Sequence, residues 1–416
     1  MTTTTTTHTS PLAIHGGTPA ANVEWPKWPV WDDAERRGLL GVLESGQWWY
    51  GEQVRAFEQA YAVFHNVRYA VTCTNGTTAI EAGLRAIGVV PGDEVIVPSY
   101  TFVATASAVV TVGAVPVFAD IEPDTLCLGP KDVDARVTPR TRAIIPVHVA
   151  GRFADMAGLT AVAAKHGLQI LEDAAHAWGS MLDGAGPGTI GRCATFSFQV
   201  TKNMTAGEGG IILTNDEGLA DLCRSFMHCG RRKGSNWYDH DYLGTNARMT
   251  EFQAAILLAQ LARLPDQIAR RERSAAILDQ RLAQLPGLRL IRPEPRMTRR
   301  SFHMYIFRVD EQALGISRDR FVEALAAEGV PASRGWYHPI YANGVFQNSA
   351  AATPHGIISP LAGRGLDYTR VRCPVAEQVC RDAVWIPQNV LLADERDIRV
   401  VADAVEKVCA RAKDLR

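Results

Sequence analysis

The stretch Tyr69-Ala-Val-Thr72-Cys-Thr-Asn75-Gly-Thr77-Thr-Ala-Ile80-Glu-Ala-Gly-Leu-Arg-Ala86-Ile-Gly-Val-Val-Pro91-Gly-Asp-Glu94-Val-Ile-Val97 decides the fold. An apolar run over 69–72 gives way to a helix-length stretch over 77–86. The turn Pro91-Gly-Asp93 follows, and a second apolar run covers 94–97. Short apolar strands alternating with helices of about ten residues imply parallel strands joined by crossover helices, in a sheet covered on both faces.

The alternation continues outward. It predicts a helix over 102–112, strands over 115–119 and 143–147, a helix over 155–166, and a strand over 169–171. Strands over 195–198 and 210–213 are expected as a hairpin-like pair. Upstream, Asp32 can cap a helix that runs to Ser45 and is closed by Gly46, and a second amphipathic helix covers 54–64. Downstream, a long helix over 250–285 leads to a strand over 304–308, a helix over 318–328 and a strand over 331–334. A loop-rich stretch and a final helix over 395–410 complete the chain. The expected architecture is therefore α/β: a disordered tail at 1–12, a large doubly wound domain at 13–262, and a smaller C-terminal α/β domain at 263–416. Ligands in such sheets bind beyond the carboxyl ends of the strands.

Composition narrows the partners. Across 416 residues, 43 Lys+Arg stand against 44 Asp+Glu, a net charge of −1. That balance argues against nucleic acid, which selects a basic excess. The threonine-rich start lacks the basic and apolar regions of a signal peptide. The apolar stretch at 106–119 is broken by Gly113 and Pro116 and is too short to span a bilayer, so no membrane partner is expected. Eight scattered cysteines without a CxxC pair read as reduced, mostly buried thiols of a cytoplasmic protein, with neither a disulfide framework nor a metal site.

Lysine is scarce. Only seven occur, and Lys165, Lys407 and Lys413 lie in charged helical stretches, as surface lysines do. Lys202 is different: it follows an apolar strand, precedes Gly207-Glu-Gly-Gly210, and has no charged neighbour until Glu208. Partial burial lowers an ammonium from about 10.4 and frees an amine able to attack a carbonyl. Ile170-Leu-Glu-Asp173-Ala-Ala-His176 ends a strand in acid, which directs a carboxylate into the ligand crevice. A cofactor pyridinium needs such an anion beside its ring nitrogen, and His176 could hold Asp173 or the ring oxygen. Thr74-Asn-Gly76-Thr77-Thr78 joins strand to helix and offers amides and hydroxyls to a phosphate. Pro98-Ser-Tyr-Thr-Phe102 sets aromatics at the next strand end, where one could stack on a flat ring. Gly186-Pro-Gly188-Thr-Ile-Gly191 satisfies the dinucleotide fingerprint only in spelling, because it precedes a strand where the motif must open a helix.

Taken in order, Asn75-Gly-Thr77, Pro98 to Phe102, Glu172 to His176, Phe196-Ser-Phe198, Lys202 and Gly207 to Gly210 resemble the DegT/StrS family of sugar aminotransferases. The resemblance implies the aspartate-aminotransferase (type I) fold and pyridoxal 5′-phosphate as cofactor. It implies that Lys202 attaches the cofactor, Asp173 pairs with its pyridinium, Phe102 stacks on its ring, and Gly76, Thr77 and Ser197 hold its phosphate. It also implies that Asn246, within Gly244-Thr-Asn-Ala-Arg248, reaches the phosphate of a neighbouring subunit, hence a homodimer with shared sites. Members often carry an acidic residue in the turn before the Phe-Ser-Phe strand, where this chain has Gly188-Thr-Ile-Gly-Arg192. Relatives with histidine in place of the lysine are dehydratases, so Lys202 favours transamination.

Gly46-Gln-Trp-Trp49, Val147 to Gly151 and the segments near Arg372 and Trp385 are similar to enzymes that aminate scyllo-inosose or 2-deoxy-scyllo-inosose with L-glutamine (or L-glutamate) in antibiotic pathways, and also to 3-amino-5-hydroxybenzoate synthases. Nucleotide-keto-sugar aminotransferases are the alternative, with 3-amino-5-hydroxybenzoate synthases and a non-catalytic regulator behind them. His148, His303, Tyr337 and His338 are the candidate substrate contacts.

Overall fold

The computed structural model describes residues 10–347 and 366–416. The large sheet contains β1 (Tyr69–Cys73), β2 (Glu94–Pro98), β3 (Val115–Ala119), β4 (Thr141–Ile144), β5 (Gln169–Asp173), β6 (Cys193–Ser197) and β7 (Gly210–Thr214). Their spatial order is β1-β7-β6-β5-β4-β2-β3. Only β7 runs antiparallel to its neighbours, pairing β6 in the hairpin-like way expected. Side chains alternate along each strand. Val71, Cys193 and Ile212 face one core with Ile80, Val109 and Leu159, whereas Ala70, Phe196 and Leu213 face another with Phe57, Trp178 and Leu264. Helices thus cover both faces, which explains why the strands read as continuous apolar runs.

The helix Asp33–Ser45 begins with the capping box of Asp32 and Glu35 and stops at Gly46 in the left-handed region. The helix Glu251–Leu282 starts from a second capping box, Thr250 with Gln253, and runs unbroken past position 262. It delivers the chain to a three-stranded antiparallel sheet, order β10-β9-β8: β8 (Leu288–Leu290), β9 (Met304–Val309) and β10 (Ala383–Pro387). This sheet packs with the helices Arg318–Ala327 and Glu395–Ala410 into a third core, which also takes in Leu12 and Ala21 from the other end of the chain. The strand expected at 331–334 does not form: only Ser333 bridges to Trp385. The ladder partner of β9 is β10, which lies in the stretch expected to be loop-rich.

Lys407 departs from its surface reading. It is buried, and its Nζ donates to Glu328 Oε2 and to the Thr18 carbonyl, each at 2.9 Å. Glu328 also accepts the amides of Ala13 and Ala20, so the pair ties the N-terminal segment to the small sheet unit. All eight cysteines are free thiols, six of them buried. No helix of the described residues is long and apolar enough to cross a membrane. The expected tail at 1–12 falls outside the described residues over 1–9.

Candidate active site

The carboxyl ends of β5 and β6 and the loop after β1 surround a cavity of about 730 Å³. Asp173, the last residue of β5, is buried at its base. Thr105 Oγ1 donates to its Oδ2 at 2.8 Å and the Ala175 amide to its Oδ1 at 3.1 Å. Burial pushes this carboxyl up, while those hydrogen bonds and the positive charge of Lys202 pull it down. Lys202 lies in the turn after β6, half-buried, with Nζ 5.8 Å from the centre of the Trp178 ring. Desolvation brings its ammonium down to about 8, against the attraction of Asp173. The site therefore holds an amine that is partly free near neutral pH, facing a carboxylate that does not bond it directly.

The anion cradle is built by local sequence. Asn75 caps the helix Gly76–Ala86 by accepting the Thr78 amide at 2.9 Å, and the first-turn amides of Gly76 and Thr77 have no helical acceptor. A Cβ on Gly76 would lie 2.8 Å from Ser197 Cβ. Glycine is what lets the helix start and the end of β6 close to this spacing. Phe102 lines the same cavity and is 60% exposed, a bare aromatic face at a strand end. Cradle, buried carboxylate, aromatic face and low-pKa amine together fit a flat cofactor bearing a phosphate and an aldehyde.

His176 lines the cavity, but the partners of Asp173 are Thr105 and Ala175. Its ring packs on His303 at a centroid distance of 4.4 Å and lies near-parallel to Trp336 at 6.3 Å. Burial, aided by the charge of Lys202, holds it neutral. His303 joins the site as expected, whereas His148 does not. It is fully buried: Nε2 pairs with Glu172 Oε2 at 2.9 Å and Nδ1 accepts the Ala154 amide at 3.2 Å, so no ring nitrogen is left for a substrate. The second Glu172 oxygen takes the amides of Gly188 and Gly191 at 3.0 and 2.8 Å. The glycine-rich loop thus clamps the carboxylate that precedes Asp173, on the opposite side of β5. Tyr337 and His338 are exposed and do not line the cavity; Trp336, just before them, does. Asn246 is also exposed and outside the cavity of its own chain.

Sequence reasoning missed Thr105, Asn203, Trp336 and Trp385. A second chamber of about 470 Å³ shares Thr201, His303, Met304 and Trp385 with the first. Its further walls are Trp28, Pro331, Ala332 and Ser333, and Pro387, Gln388 and Asn389. Among the described residues that line it, none carries a charge, since burial also holds His303 neutral.

Residues 30–406 match the model of the DegT/DnrJ/EryC1/StrS aminotransferase family. The chain belongs to this family. It is 39% identical to a 3-amino-5-hydroxybenzoate synthase of Amycolatopsis mediterranei, over 94% of this chain and 98% of that one. It is 37% identical to an L-glutamine:2-deoxy-scyllo-inosose aminotransferase of Micromonospora echinospora, over 97% and 99% of the two chains. Among solved structures, that of 3-amino-5-hydroxybenzoic acid synthase superposes with a TM-score of 0.83 at 38% identity, covering 93% of this chain and 99% of that one. The aminotransferase fold expected from the motifs is the fold found, and the family assigns the chain to the enzymes that transfer amino groups.

Proposed function

We propose that this aminotransferase uses pyridoxal 5′-phosphate to move the amino group of L-glutamine (or L-glutamate) onto a keto-cyclitol such as scyllo-inosose or 2-deoxy-scyllo-inosose. The described residues that line the second chamber are uncharged, and this carries the choice of acceptor. A nucleotide-linked sugar brings a diphosphate and a benzoate-type substrate brings a carboxylate, and burying either without a cation is costly. A neutral polyol needs only hydroxyl partners. The name of the Micromonospora relative supports the same reading.

In this reading Gly76, Thr77 and Ser197 hold the cofactor phosphate, Phe102 covers the ring, and Asp173 faces the ring nitrogen. When bound, the cofactor supplies an electron sink for the carbanion at the donor's α-carbon. Lys202 Nζ takes the proton from that carbon and returns one to the acceptor's former carbonyl carbon in the second half of the cycle. Neutral His176 and His303 add no charge that would compete with the protonation of Lys202. The active unit is a homodimer in which Asn246 completes the partner's cradle. The exposed Trp49, Trp237, Tyr238 and Leu243 beside the Asn246 segment support an interface there. The free thiols support a cytoplasmic location.

The test is product analysis with L-glutamine and three acceptors: scyllo-inosose, a nucleotide-linked keto-sugar and a carboxylated cyclohexenone. Formation of the amino-cyclitol alone is the expected outcome. Turnover confined to either of the others contradicts the reading.

A further inference from the structure

The hydrogen bonds behind the second chamber determine what its wall offers. Arg271 is fully buried and, among the described residues, no carboxylate pairs with it; its Nη1 has no hydrogen-bond partner. Its Nε donates to the Gln388 carbonyl at 3.3 Å and its Nη2 to the Gln388 side chain. A guanidinium has no acceptor, so the amide atom facing it is oxygen. Gln388 therefore keeps its amide NH₂ as the polar group for the chamber it lines.

A second relay fixes His303. Asn203 Nδ2 donates to the Ser301 carbonyl at 2.8 Å, and a carbonyl only accepts, which leaves Asn203 Oδ1 as the atom facing His303 Nδ1 at 2.8 Å. His303 Nδ1 is thus the protonated nitrogen. Burial keeps the ring neutral, so Nε2 carries a lone pair at the junction of the two chambers. Asn389 commits its Nδ2 to the Pro26 carbonyl at 2.7 Å, and Trp28 commits its Nε1 to the Val200 carbonyl at 2.9 Å. The Trp28 indole is left as an apolar wall of the chamber, with the Arg271 guanidinium 5.7 Å from its ring centre.

We propose that this chamber is the acceptor subsite, where an uncharged polyhydroxylated ring gives one hydroxyl hydrogen to His303 Nε2 and accepts one from Gln388 Nε2, against the Trp28 indole. Arg271 and Asn203 are positioning residues that set the direction of each hydrogen bond. The assignment rests on the keto-cyclitol reading of the site. Among the described residues that line the chamber none is a cation, which assigns the donor's α-carboxylate to a place outside it.

Scyllo-inositol, which lacks the reactive ketone, is the probe, titrated calorimetrically into the cofactor-loaded enzyme. Gln388→Leu and His303→Phe are each expected to weaken its binding about tenfold, the loss of one hydrogen bond to a ligand that leaves its partner unpaired. In the Gln388→Leu variant, the L-glutamine half-reaction, followed by cofactor absorbance, stays within about twofold of wild type, a change below 0.5 kcal/mol that marks the donor as seated elsewhere. Arg271→Lys raises KM for the keto-cyclitol with kcat held, because Gln388 is freed to turn. Unchanged affinity in both Gln388→Leu and His303→Phe, or no binding of scyllo-inositol by the wild-type enzyme, overturns the subsite. If the variants lose affinity for the polyol but wild type aminates no keto-cyclitol, the subsite stands and the acceptor reading falls.

Discussion

Two lysines of this protein are withdrawn from solvent, and their surroundings make them opposites. Lys407 on the last long helix spends its Nζ on a buried carboxylate, Glu328, and on the Thr18 carbonyl. Lys202 lines a cavity in which the acid that attracts it, Asp173, is held by Thr105 and Ala175. One ammonium is locked in place by a direct partner. The other is desolvated without one and comes down to about 8. Burial by itself therefore does not make a reactive amine; burial without a bonded carboxylate does.

The largest effect that could break this contrast belongs to Lys202. Lys202→Ala should reduce turnover by at least about 10⁴-fold, since both the attacking amine and the proton carrier are lost. Steady-state amination assays check it. Lys407→Met should leave turnover per folded molecule unchanged and cost about 3–5 kcal/mol of stability in urea unfolding, because Glu328 stays buried without its cation. A loss of activity at full stability would erase the distinction between the two lysines. The smallest effect is one of pH. Between pH 6 and 7.5 the ammonium of Lys202 is mostly protonated, so pyridoxal phosphate uptake by apoenzyme should rise about tenfold per pH unit and level off above about 8. Stopped-flow absorbance reads that profile, which a lysine near its ordinary value would shift upward by about two units.

The fold was legible because its strands are buried on both faces and so read as apolar runs between helices; the segments at 69–72, 115–119 and 169–171 all became strands. The small unit was less so. The stretch at 331–334 resembles a strand but meets only one bridging residue, while Ala383–Pro387 pairs fully with β9 inside a stretch dense in turn-forming residues. Within the site, Lys202, Asp173, Gly76 and Ser197 were legible because each stands at a strand end or helix start, where chemistry is local. Trp336 and Trp385 were not, since folding brings them from far along the chain and nothing beside them in sequence marks a cavity. His148 misled for the same reason: its partner Glu172 adjoins Asp173 but points to the other side of the strand. Lys407 carried an unused signal, because it falls on the turn between Ala404 and Val408, both buried in the helix Glu395–Ala410.

The central claim is that Lys202, alone among the seven lysines, meets the cofactor's aldehyde. Borohydride reduction of the enzyme loaded with pyridoxal phosphate, followed by peptide mass mapping, tests it most directly. The account predicts one modified peptide, carrying the reduced cofactor on Lys202. A cofactor mark on Lys407 or another lysine, with Lys202 unmodified, would contradict it.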